Sequence, residues 1–353
     1  MDNKLRDRIY SFDIMRIIAA CAVIMIHISA DYVITLDGNT WDFLLANFFN
    51  SFSRFAVPMF VMISGALMLD ENKAVSSSKI LQIIWNMLFI LFSWSFFYAI
   101  SFNLIKPVLF HEEISVASAI TTFFYGHYHM WYLYVQIGLY AVTPLLRFFV
   151  KKENATLIRY YLILAVIICF TIPFANHILN HFLYEKDALA SFVNKFKLEC
   201  FYEYLIYYVL GWYITHVGIQ KKYHKFLYLA GITGLAITII GTQIHSYMGN
   251  SNYFFENNSI NVFVYSVALF TWIHSLFQTK KASLNQTWIK LSNYTFGVYL
   301  IHCCYLFIFN RITKAFHCVP IEIIVTFLCA AILCFLTVSI IAKIPFLKKF
   351  IRC

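Results

Sequence analysis

The chain has 353 residues, of which 61% are hydrophobic and only 12% charged, with a formal net charge of +10 and a mean hydropathy of +0.70. A soluble protein of this size exposes far more charge, so the composition excludes a soluble enzyme or scaffold and indicates an all-α integral membrane protein. The basic excess does not mark a nucleic-acid binder, because the lysines and arginines stand in short clusters between apolar runs, as the positive-inside rule places them.

Apolar runs of about 20 residues predict a single bundle of about ten transmembrane helices, near 10–32, 47–69, 80–105, 128–150, 156–176, 200–219, 225–246, 259–277, 292–312 and 321–343. An even number puts both termini on one side. With that side cytoplasmic, Arg8, Lys73, Lys79, Lys151, Lys152, Lys221, Lys222, Lys290, Lys348, Lys349 and Arg352 all fall inside, and the outer loops keep few basic residues. The semi-polar stretch 110–127 fits a short re-entrant or surface helix. The expectation is one membrane-embedded domain over 1–353, with its core at about 10–343 and no separate soluble domain. The nine cysteines show no disulfide or zinc spacing. Cys303 and Cys304 point in two directions on a helix, so no metal site is expected.

The first run, Phe12 to Asp31, follows Lys4, Arg6 and Arg8 but carries too many ionisable groups for a cleaved signal peptide, and reads as a retained span. At about 100° per residue, Asp13, Arg16, His27 and Asp31 share an arc of about 60°. Arg16 and His27 are separated by a rise of about 16 Å, one near a membrane surface and the other near mid-depth. In the second span, Arg54 is expected near the outer end, either snorkelling or lining a cavity, with Pro58 bending the helix. Ser64-Gly65 fits close helix packing or a functional position.

The fourth span sets His129, Tyr132, Gln136, Tyr140 and Thr143 within about 80° of one another, and the interfacial aromatics around Trp131 do not account for that face. In the sixth, Glu199, Glu203 and Tyr207 stack on one face, with Glu203 the deeper carboxylate. The ninth repeats the pattern with Ser292, Thr295, Tyr299 and His302, the last near mid-membrane. Loop histidines such as His111 receive no role. Two mid-depth histidines on polar-striped helices indicate an internal cavity.

A neutral imidazole at that depth can take a proton from a hydroxyl as the hydroxyl attacks an acyl carbon. Arg16 suits a phosphate through its forked donors, or equally pairs with Asp13 three residues before it. Asp31, one turn beyond His27, has the spacing of an orienting carboxylate and also that of a solvated residue at the span's end. The stripes fit a second class too, a transporter or flippase of lipid-linked sugars. Against that class stand the lack of an internal repeat and of paired broken helices.

FDIMRIIAACAVIMIH resembles the opening of the acyltransferase-3 family, with an arginine, ten residues and a histidine at Arg16 and His27. SRFAVPMFVMISG resembles that family's second-span signature and HMWYLYVQIGLYAVTPLL its H-x-W signature; YYVLGWYI and YTFGVYLIH resemble later segments. The resemblance runs in order from about 10 to 343, and the short form is similar to the branch that O-acetylates enterobacterial common antigen. It implies a multi-pass enzyme of the bacterial inner membrane, with no bound cofactor and acetyl-CoA or another acyl-CoA as co-substrate. The acceptor it implies is a hydroxyl of a surface polysaccharide or its lipid-linked precursor. His27 is then the catalytic base, with Asp13 and Arg16 beside it. Donor contacts are expected at Arg16, Tyr299 and His302, and acceptor contacts at Arg54, His129, Trp131 and Glu203.

Overall fold

The computed structural model describes residues 8–73, 75–105, 115–182, 187–196, 202–247, 253–280 and 285–352. Glu199 and His111 lie outside them. The regular structure of the described residues is helical throughout. The chain begins with α1 (Tyr10–Thr35), α2 (Trp41–Ser53), α3 (Ala56–Met68), α4 (Ser77–Ile100), α5 (Val116–Tyr125) and α6 (Trp131–Phe149). There follow α7 (Ala155–Val166), α8 (Ile172–Phe182), α9 (Ala188–Asn194), α10 (Glu203–His216) and α11 (Lys221–Tyr247). It closes with α12 (Ile260–Lys280), α13 (Gln286–Thr313), α14 (Val319–Ile341) and the single turn α15 (Pro345–Lys348).

Among the described residues, eight helical stretches are long and apolar enough to cross a membrane. Two of them join helices across a break: Trp41–Met68 joins α2 to α3, and Lys152–Asn180 joins α7 to α8 through a π turn at Ile167–Thr171. The sequence runs near 128–150 and 200–219 fold as α6, which buries Tyr132, Gln136 and Thr143 beside Leu133 and Leu139, and α10, which has only 14 residues. The stretch read as re-entrant or superficial contains α5, which packs on α4.

The first helix is the centre of the bundle, packing against α2, α3, α12, α13 and α14. The α2–α3 break corrects one expectation. Arg54 lies midway between Trp41 and Met68, at the break itself, rather than near the outer end. Pro58 explains the position: it has no N–H to bond the carbonyl four residues back, which is that of Arg54, so the helix opens one turn before the proline. Regular bonding resumes with Met59 N–H donating to Phe55 O at 2.9 Å.

Two glycines bring α3 and α10 into backbone contact. A Cβ on Gly65 would stand 1.8 Å from the Tyr208 carbonyl oxygen, and one on Gly211 would stand 2.0 Å from that of Met62. Gly65 therefore serves close packing. At the end of the bundle that carries the basic clusters, Arg147 gathers the α3–α4 loop. Its Nη1 donates to the carbonyls of Met68 (2.6 Å) and Asp70 (3.0 Å), and its Nη2 to that of Lys73 (2.6 Å).

Candidate active site

Three helices present polar residues at helical spacing to one interior space. From α1 comes Arg16, from α6 Tyr132, Gln136 and Tyr140, and from α13 Ser292, Asn293, Thr295 and Tyr299. With Ser64 and Phe60 of α3 and Arg352 beyond α15, they line a cavity of about 470 Å³, among whose lining residues Asn293 and Arg352 are exposed. Ser64 thus belongs to the cavity while its neighbour Gly65 belongs to the packing. The two stripes read on α6 and α13 are opposite walls of one space, as their apolar faces turn outward.

Asp13 is 1% exposed, and a buried carboxylate must be paired. Arg8 grips it with Nε and Nη2, both at 2.7 Å, and the Ser292 hydroxyl donates to it at 2.7 Å. Arg16 stays 3.8 Å away. The two short charge-assisted bonds outweigh the long contact, so Arg8 is the partner of Asp13 and Arg16 keeps donors for the cavity. Sequence spacing had offered Arg16 itself as that partner. Arg8 escapes such a reading because it precedes the helix.

Above the cavity lies a layer of imidazoles. His27 and His302 have ring centroids 5.1 Å apart, and His302 and His129 4.9 Å. The two mid-depth histidines read on separate spans therefore meet, and His129 joins them. Nδ1 of His302 is 2.6 Å from the Tyr299 carbonyl. A carbonyl only accepts, so Nδ1 carries the proton and Nε2 the lone pair. Tyr299 divides the layer from the cavity: its ring lines the cavity, and its hydroxyl donates to the His129 carbonyl at 2.6 Å. His27 does not line the cavity. It sits half-buried beyond Tyr299 and His302, with the Tyr128 ring edge-on at 5.3 Å.

His127 is a member of this layer that sequence reasoning missed. Gly126, at φ +76°, turns the chain after α5, a conformation that glycine adopts without strain. His127 is thereby folded back, its Nδ1 2.9 Å from that of His129 and its ring stacked 4.5 Å from Tyr98. His127, His129 and Cys303 bring potential metal-ligand atoms within 4.8 Å of one another. The two histidines meet in a hydrogen bond, and the Cys303 thiol bonds the Tyr128 hydroxyl at 3.4 Å. No helical period links a turn before α6 to the middle of α13.

Arg54 is the cation of the opposite side. Its Nε donates to Asn50 Oδ1 at 2.7 Å, Nη1 donates to the Phe255 carbonyl at 3.3 Å, and the guanidinium lies 4.2 Å from the Phe255 ring centroid. Asn50 is fully buried and donates in turn to the Ile26 carbonyl (3.2 Å) and Ser29 Oγ (3.0 Å). It fastens Arg54 to the turn of α1 that carries His27. Arg54's hydrogen-bond partners are neutral and the Glu256 carboxylate interacts with it electrostatically; a guanidinium so placed is suited to an anion or to developing negative charge. Asn50 was missed because an asparagine in an interrupted helix has no pattern of its own.

The remaining candidates stand apart. Trp131 opens α6 and contacts Tyr204 at 5.7 Å. Glu203 is half-buried in the first turn of α10, with Glu256 as its charged neighbour. Asp31 is exposed and accepts from Asn310 Nδ2 at 3.1 Å, so the candidate orienter of His27 is engaged by Asn310 of α13.

A chemically coherent set results: a cavity lined by Arg16 and Arg352, a layer of imidazoles above it, and a half-buried guanidinium anchored beside the turn that carries His27. The family model described as an acyltransferase domain matches residues 9–343. No curated protein and no solved structure matches.

Proposed function

The chain belongs to the acyltransferase domain family, and from that membership we propose that this multi-pass membrane acyltransferase is acyl-CoA-dependent and O-acylates a cell-surface glycan. The observation that carries the reading is the cavity that starts at Arg16 and ends directly beneath the His27–His302–His129 layer. In this reading the basic end is cytoplasmic, both termini included, and the membrane is the bacterial inner membrane. An acyl-CoA enters with its phosphates at Arg16 and its pantetheine arm along the polar walls of α6 and α13. The rise of about 16 Å from Arg16 to His27 matches an extended arm. The Tyr299 ring must swing aside for the thioester to reach the imidazoles.

The acceptor is a hydroxyl of a surface polysaccharide or its lipid-linked precursor, brought from the outer half past Trp131, His129 and Glu203. His27 accepts the hydroxyl proton as the oxygen attacks the thioester carbonyl. The C–O bond forms, the C–S bond breaks, and His27 returns the proton to the departing CoA sulfur. Arg54, held by Asn50, supplies positive charge beside the acceptor and the developing oxyanion. Asp13 acts at one remove by holding Arg8 and Ser292 at the floor. The acyl group is proposed to be acetyl.

Mass spectrometry of surface polysaccharide from cells with and without the protein tests this. An acetyl increment on the glycan that disappears with the gene is expected. An unmodified glycan in both, with a glycolipid moving across proteoliposomes that hold only this protein, would instead establish the flippase reading.

A further inference from the structure

The segment after α14 is not a loose end. From α15 the chain turns back onto the bundle and is fastened at three points. Trp94 Nε1 of α4 donates to the Phe350 carbonyl at 2.8 Å. Ile351 is 2% exposed and packs into the notch at Gly297 of α13, where an added Cβ would come within 3.3 Å of the Ile351 Cβ. Lys349 lies over the Phe89 ring of α4 at 5.6 Å. So held, Ile351 and Arg352 form one wall of the cavity that Arg16 also lines.

The two arginines differ in station. Arg16 is half-buried inside the cavity and Arg352 is exposed at its edge. Resting on the acyl-CoA reading above, we propose that Arg352 is a second donor-binding residue that recognises the 3′-phosphate of CoA. Arg16 then takes the diphosphate. The 3′-phosphate is the phosphate of CoA on the side of the adenosine remote from the thioester, so it belongs at the mouth when the pantetheine arm points inward. A guanidinium there can make a bidentate bond that a lysine cannot copy. The return segment thereby becomes part of the donor site, and the fastening of Phe350 and Ile351 is what sets Arg352 in place.

The test compares acetyl-CoA with acetyl-3′-dephospho-CoA as donors for the purified full chain in proteoliposomes. The proteins are wild type, Arg352→Ala, Arg352→Lys and, as a charge control away from the cavity, Lys343→Ala, each checked for an unchanged melting temperature. Wild type should favour acetyl-CoA by about tenfold in kcat/KM, the worth of one good charged contact. Arg352→Ala should lose that preference through a higher KM for acetyl-CoA at preserved kcat, with the dephospho donor unaffected. Arg352→Lys should recover only part of it, and Lys343→Ala should match wild type. Equal losses on both donors, no loss on either, or a wild type blind to the 3′-phosphate would each overturn the assignment while leaving the acyltransferase reading intact. A wild type that uses neither donor would overturn both.

Discussion

Arg8 and Arg16 compete for one buried carboxylate, and the outcome decides which of them is free for a ligand. Arg8 holds Asp13 at 2.7 Å and leaves Arg16 at 3.8 Å. Removing Arg8 leaves Asp13 buried with too few donors, and Arg16 is the nearest cation that can close on it. Arg8→Ala is therefore expected to raise the donor KM roughly fivefold, equivalent to about 1 kcal/mol, although Arg8 does not line the cavity. Adding Asp13→Asn should recover part of that loss by removing the pull on Arg16. Steady-state KM and kcat of the single and double variants check this, and an additive double variant would contradict it. The same logic of satisfied groups applies to His302, whose Nδ1 is spent on the Tyr299 carbonyl at 2.6 Å, so that Nε2 is its base nitrogen.

At the scale of elements, the α3–α10 crossing holds the cavity wall in place. Gly211 lies so close to α3 that an alanine Cβ would fall 2.0 Å from the Met62 carbonyl oxygen. Gly211→Ala should cost about 3 kcal/mol or more, since backbone must move. Gly138→Ala on α6 meets nothing within 4 Å and should leave stability unchanged or slightly raised by helix propensity. Melting temperatures in detergent distinguish the two. The α3–α4 loop adds a pH-dependent element. Burial opposes the charge on Asp70, but the N–H of Asn72, His216 and Lys73 outweigh it and hold the carboxyl below its ordinary value of 3.8. A depressed carboxyl contributes stability above its unfolded pKa, and that contribution fades as pH falls through the folded one. Asp70→Asn should therefore lower stability near neutrality by on the order of 1 kcal/mol, with the gap to wild type closing in acid below the ordinary value. A gap that persists or widens in acid would contradict the assignment.

For the whole molecule, the parts legible in the sequence are those governed by a helical period. Arg16 with His27, Tyr132 with Gln136 and Tyr140, and Ser292 with Thr295 and Tyr299 repeat at the spacing that keeps a side chain facing inward. What escapes is set by chain reversals. His127 enters through the positive-φ turn at Gly126, and Arg352 through the return segment sealed by Ile351 at Gly297. Arg54 was legible as a residue and misjudged in position along its helix, because the second stretch begins at Trp41, capped by Thr40, ahead of the apolar run that starts near 47. The central claim is that a donor admitted from the basic end meets His27 as base. Its most direct measurement is transfer of labelled acetyl from acetyl-CoA to the glycan acceptor by the purified chain, with His27→Ala alongside. The account predicts transfer by wild type and a loss of at least about a hundredfold in kcat without His27, the usual worth of a general base. Undiminished transfer by His27→Ala would contradict it.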